Sequence, residues 1–95
     1  MKQLPNELLK QITGNVDIYQ INGGQQVAQF YPNGFGVSIV YHDFSYGLEL
    51  AVLKGTQGNS KICYETEITG DVLSYLSVEE ALETIKRIKE LDYLT

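Results

Sequence analysis

The sequence predicts an α+β domain: an antiparallel meander of four to five strands packed against a C-terminal helix, with a short N-terminal helix. Three observations predict it. From residue 16 to residue 68, apolar β-rich runs alternate with turns rich in Asn, Gly, Pro and Ser. Residues 77–91 repeat apolar side chains at helical spacing behind a capping signal. The chain has 95 residues, 43% hydrophobic and 20% charged, which suits a single domain, 1–95, built on one small core.

The first element is a helix over Pro5–Thr13. Proline suits the first helical position, Leu8, Leu9 and Ile12 form an apolar stripe, and Gly14 supplies a stop. Val16–Ile21 and Gln25–Tyr31 are strands joined by the turn Asn22-Gly23-Gly24. Pro32-Asn33-Gly34 makes the next turn, because proline presets φ and Asn and Gly accept positive φ. Phe35–His42 then sets Phe35, Val37, Ile39 and Tyr41 on one face, expected to be the core face.

Phe44-Ser45-Tyr46-Gly47 is a short loop. Leu48–Lys54 is apolar on both faces and is expected to be a central strand. Gly55–Ser60 is a polar, glycine-containing loop, expected to be mobile. The last strand, Lys61–Ile68, alternates Ile62, Tyr64, Thr66 and Ile68 against Lys61, Cys63, Glu65 and Glu67, and the charged face is expected to meet solvent near a sheet edge. Asp71 is expected to cap a brief helical turn through Tyr75.

The C-terminal helix carries the clearest signals. Ser77 and Glu80 form a capping box. Val78, Ala81, Leu82, Ile85, Ile88 and Leu91 make one apolar face. Acids lead and bases follow, as the helix dipole favours, and Glu83–Arg87 adds a close pair. Beyond it, Asp92–Thr95 is expected to fray, with Tyr93 and Leu94 available to dock.

Composition narrows the chemistry. The net charge of −5 opposes the phosphate backbone, so direct nucleic-acid binding is disfavoured, and a partner with a basic surface is favoured. The single cysteine cannot form an internal disulfide. No apolar run has the length of a signal peptide or a membrane span, so the expected location is the cytoplasm.

The catalytic candidates are few. His42 and Asp43, as neighbours in a strand, point to opposite faces and cannot pair. Cys63 lies in a strand and needs a base to become a thiolate; His42 is the only histidine that could meet it. One Cys and one His fall short of a zinc site, and Glu65, Glu67 and Asp71 match no calcium loop. The glycine turns lack the strand–loop–helix order of a phosphate-binding motif. The expectation is a non-enzyme with neither cofactor nor metal.

The aromatics offer a binding reading. Phe30, Tyr31, Phe35, Phe44 and Tyr46 crowd the turns, and tyrosine is favoured at interfaces because it buries area at low entropic cost. Core filling accounts for most of the rings. The protein-binding candidates are Tyr31, Phe44 and Tyr46 at the two ends of the 31–53 segment, with the acids Asp43 and Glu49, on a surface that the segment leaves free of bases up to Lys54.

Tyr31-Pro-Asn-Gly-Phe-Gly-Val-Ser-Ile-Val, Ser45-Tyr-Gly, Leu48-Glu-Leu-Ala-Val-Leu and Ile68-Thr-Gly-Asp-Val-Leu-Ser-Tyr-Leu-Ser-Val-Glu-Glu follow one another in an order that resembles a family of small, uncharacterised phage and prophage proteins. The resemblance spans residues 27–91 and rests on structural residues. It implies a mobile-element origin and no particular activity.

The expected function is therefore that of a small acidic phage-type accessory protein that binds a host or phage protein. Inhibition of a host enzyme or defence complex, an anti-CRISPR-like or other anti-defence role, is one form of it. The alternative is a self-associating structural module, such as a homodimer built on unpaired sheet edges. A small enzyme using Cys63, His42 and Tyr46 is a third reading.

The helix assignment generates one prediction. Ile85→Asp buries a charge in the apolar face and should cost about 4–5 kcal/mol or more, enough to unfold a small domain. Glu83→Ala should stay within roughly 0.5 kcal/mol of the parent. Equal melting temperatures for the two variants would contradict the assignment.

Overall fold

The computed structural model describes residues 2–12, 16–68 and 70–92. These residues form helix α1 (Asn6–Gln11), strands β1 (Asp17–Ile21), β2 (Gly24–Phe30), β3 (Phe35–Tyr41), β4 (Glu49–Thr56) and β5 (Asn59–Ile62), and helix α2 (Val78–Lys89). The strands make one antiparallel meander in the order β1-β2-β3-β4-β5. The expected α+β fold is the observed one.

Strand alternation divides the sheet. Val27, Ile39 and Leu50 stand side by side across β2, β3 and β4, and Val37 stands beside Val52. All five are buried on one face, under Leu4, Leu8 and Ile12 of the N-terminal segment and Ala81, Ile85 and Ile88 of α2. The row Phe35, Val37, Ile39 and Tyr41 is the floor of this core, as its spacing predicts. α2 packs on β3 and on α1, so both helices cover the same face.

α2 begins as its sequence predicts. Ser77 Oγ accepts from the Glu80 N–H at 3.1 Å, and Glu80 accepts from the Ser77 N–H at 2.9 Å. The hydrogen bonds from Ser77 hold the Glu80 carboxyl below its ordinary pKa. The other end is fixed from a distance. Asn33, 4% exposed, donates through Nδ2 to the carbonyls of Ile88 at 2.9 Å and Leu91 at 3.1 Å. Its Oδ1 accepts from the Phe35 N–H at 3.0 Å. The Pro32-Asn33-Gly34 turn thus closes the β2–β3 hairpin and also donates to carbonyls at the end of α2 and just beyond it.

Four expectations need correction. α1 covers Asn6–Gln11, with Pro5 as the cap residue just before the first turn; Thr13 and Gly14 lie outside the described residues. The Gly55–Ser60 segment is hairpin: Gly55 pairs with Ser60 and Thr56 with Asn59, leaving a two-residue turn. β5 ends at Ile62, and its register opposite Leu53 turns Ile62 outward. Cys63 therefore faces the core, 5% exposed, with its N–H on the Val52 carbonyl at 2.7 Å.

Residues 71–75 form no helical turn. Leu73 instead exchanges two 2.9 Å backbone hydrogen bonds with Leu50, and the Leu76 N–H reaches the Leu48 carbonyl at 3.1 Å. This segment pairs with the part of β4 that short β5 does not reach. Tyr93 and Leu94, expected to dock, lie outside the described residues.

Asn33→Ala removes three hydrogen bonds from buried or half-buried backbone groups. It should lower stability by about 2–3 kcal/mol, seen as a Tm decrease of roughly 10–20 °C. A variant that melts with the parent would show that the turn does not hold the helix.

Candidate functional site

The β3–β4 loop builds the most exposed aromatic cluster. The chain leaves β3 at Tyr41 and re-enters the sheet at Glu49. Ser45 holds the interval together: its Oγ accepts from the His42 N–H at 3.0 Å and lies 3.0 and 2.8 Å from the carbonyls of His42 and Gly47. His42 Nδ1 accepts from the Phe44 N–H at 3.1 Å, and the two rings meet edge-on with centroids 6.4 Å apart.

Tyr75 joins this loop from outside. Its N–H donates to the Tyr46 carbonyl at 2.9 Å, and the two rings lie 6.1 Å apart. Two left-handed residues make the approach possible. Gly47 has φ +65°, and a side chain there would press on the Tyr75 ring at 3.2 Å. Tyr75 itself has φ +56°, uncommon for a residue with a large side chain. The rings point outward: Phe44 is 77% exposed, Tyr75 74% and Tyr46 63%.

The structure separates the binding candidates read from the sequence. Phe44 and Tyr46 share this loop with Asp43, an exposed residue whose N–H donates to the Asn22 carbonyl at 2.9 Å. Glu49 stands at the start of β4, where a carboxylate oxygen accepts from Ser74 Oγ at 3.0 Å. Tyr31 lies elsewhere, beyond the opposite end of β3, about 23 Å away by strand rise. It is half-buried, its hydroxyl donates to Gln29 Oε1 at 3.0 Å, and burial pushes its phenol above the ordinary pKa.

The base-free surface is also revised. Lys2 Nζ sits 5.6 Å from the Tyr41 ring and 3.4 Å from the His42 carbonyl oxygen, and Lys89 Nζ sits 5.4 Å from the Tyr31 ring. Tyr31 before β3 and Tyr41 at its end thus each gain a cation from a distant part of the chain.

The face of the sheet away from the helices is the feature that sequence reasoning missed. Cα partners place Asp17, Ala28, Ser38 and Ala51 in one row across β1–β4. Tyr19, Gln26, Val40 and Glu49 flank it on one side. Phe30, Gly36, Leu53 and Ile62 flank it on the other. The sheet curls like a half-barrel, and Ala28, Ala51 and Leu53 are buried although no helix lies over them. The result is a groove with cavities of about 270 and 240 Å³ that share Gln26, Ser38 and Ile62. Alternating small residues across three strands were the available signal. It was hidden because the register that aligns them appears only on pairing.

Cys63 lines a third cavity, of about 490 Å³, with Phe35, Lys54, Glu65, Thr66, Glu67, Leu91 and Asp92. Lys54 and Glu65 form an ion pair there at 3.3 Å. The register sets His42 five residues along β3 from Val37, the residue level with Val52 and Cys63, and so about 17 Å from Cys63 along the strands. The two side chains do not meet. No group of three His, Cys, Asp or Glu among them could hold a metal ion. No helix among them is long and apolar enough to cross a membrane.

No family model matches the sequence, and neither the curated proteins nor the solved structures searched contain a match to it.

The Tyr31 environment has a pH consequence. Burial favours the neutral phenol in the folded state, so this stability is complete below the ordinary phenol pKa of 10.0 and is lost as the pH rises above it. Tyr31→Phe should therefore lose less stability than the parent between about pH 8 and about pH 11. Urea unfolding at both pH values measures it; parallel losses would contradict the assignment.

Proposed function

We propose that the protein is a non-catalytic binding module that docks another protein through the aromatic cluster of Phe44, Tyr46 and Tyr75. The observation that carries the reading is the exposure of three large rings on a hydrogen-bonded backbone. Exposed rings gain free energy when a partner covers them, and a pre-ordered loop loses little entropy in binding. Hot spots of protein interfaces favour tyrosine for this reason. The acidic charge favours a partner with a basic surface.

In its fuller form, this is a phage-type accessory protein whose partner is a host or phage protein, with a host enzyme or defence complex as the target to be inhibited. The phage-family resemblance and the small acidic chain support that context. A second reading, self-association, is favoured by the exposure of edge strand β1, where Ile18 and Tyr19 are open to solvent.

The test is affinity capture from a bacterial host lysate with the parent and with Phe44→Ala/Tyr46→Ala. Both positions are exposed, so stability should change by less than about 0.5 kcal/mol each. The parent should retain a partner that the double variant loses. A folded parent that captures nothing, or equal capture by both, overturns the reading, and a concentration-dependent dimer in sedimentation supports the second.

A further inference from the structure

The concave face has an unusual charge pattern. The chain has seven Lys and Arg residues, and none lines the groove. Lys54 and Lys61 stand in the Phe35 row, on the helix side of the sheet. Lys10, Lys86, Arg87 and Lys89 belong to the helices, and Lys2 lies by the Tyr41 ring. The charged groups in the groove are both acids: Asp17 in the floor row of β1, and Glu49 in the flanking row of β4.

The shape limits the occupant. The floor crosses four strands, about 14 Å at the usual strand spacing. The flanking rows are four residues apart along each strand, about 13 Å between backbones, and side chains from both rows narrow that interval. A helix with its side chains is about 10–12 Å across and does not fit between them. An extended segment does.

The two walls differ. Tyr19, Gln26 and Glu49 make one polar and acidic; Phe30, Leu53 and Ile62 make the other apolar. The Phe30 ring lies over Gly36, where an added Cβ would come within 2.7 Å of it. A long cationic side chain can rest its methylenes on such a wall and bring its charge to a carboxylate or an aromatic face.

We propose that this concave face docks an extended, arginine- or lysine-bearing segment of a partner protein, with Asp17 and Glu49 receiving its cations and Phe30 and Ile62 its apolar side chains. The inference rests on the reading of the chain as a protein-binding module. It places recognition of the partner's charge on a different surface from the aromatic cluster.

The probe is a short synthetic peptide of alternating Arg and Leu, with its Glu-for-Arg counterpart as control. Amide chemical shifts of the isotope-labelled full chain report where it binds. The Arg peptide should shift Gln26, Ala28, Ser38, Val40 and Ala51 and leave the outer face of α2 unmoved. It should bind at least tenfold tighter than the Glu peptide and weaken with salt. Asp17→Asn/Glu49→Gln should lose about tenfold with an otherwise unchanged amide spectrum, and Ile62→Ser should weaken binding independently of salt.

Shifts confined to residues 42–48 and Tyr75 would overturn the groove and leave the aromatic cluster as the docking site. Equal binding of the two peptides, or an unaffected double acid variant, would also overturn it. Loss of a captured partner by Asp17→Asn/Glu49→Gln, with retention by Phe44→Ala/Tyr46→Ala, would uphold the groove while removing the aromatic cluster.

Discussion

Covering the sheet on one face only is the constraint on which the rest depends. The chain has two helices among its described residues, and both lie over Val27, Ile39 and Leu50. One core results, sealed at its centre by Leu8, Ala81 and Ile88. Burying a large apolar side chain gains about 1.5–3 kcal/mol, so this single layer must offset most of the chain entropy. The opposite face receives no helix. Curling of the sheet shields Ala28, Ala51 and Leu53 there instead, and the groove follows from that curl.

The second dependence is positional. α2 must stop where its last apolar residue still meets the sheet. The Ser77–Glu80 capping box sets where it starts, through groups three residues apart. Asn33 sets where it ends, through groups fifty-five and fifty-eight positions away in sequence. The two devices differ in kind: the first is local and would operate in an isolated peptide, whereas the second exists only once hairpin and helix have met.

That difference explains what was legible. Strand runs, turns and the helix cap depend on neighbouring residues, and the first four expected strands and the C-terminal helix match the observed ones closely. The expected row Phe35, Val37, Ile39, Tyr41 is the core floor because alternation needs only one strand. Alternation alone groups Cys63 with Lys61, Glu65 and Glu67; its place in the core needs the β4–β5 register, which the Gly55–Ser60 hairpin fixes. Segment 71–75 read as a helical turn because its backbone partner, Leu50, is remote in sequence. At the site, Phe44 and Tyr46 could be picked from the loop, but Tyr75 and Lys2 reach it by tertiary contact. The groove required four strands in register and had no local signature at all.

The pairing of segment 73–76 with β4 also makes the two sides of the sheet unequal. On that side, β4 is closed partly by this segment and partly by β5, a four-residue strand carrying Lys61. The other side ends in β1, whose exposed residues include Ile18 and Tyr19. A four-residue edge carrying Lys61 resists addition of further strands, whereas residues 18–20 of β1 are exposed and carry no charge. Growth of a fibril needs both sides to be receptive. Here, an isologous β1–β1 contact would use up the receptive edge of each molecule. Edge-to-edge assembly through β1 would therefore terminate at a pair.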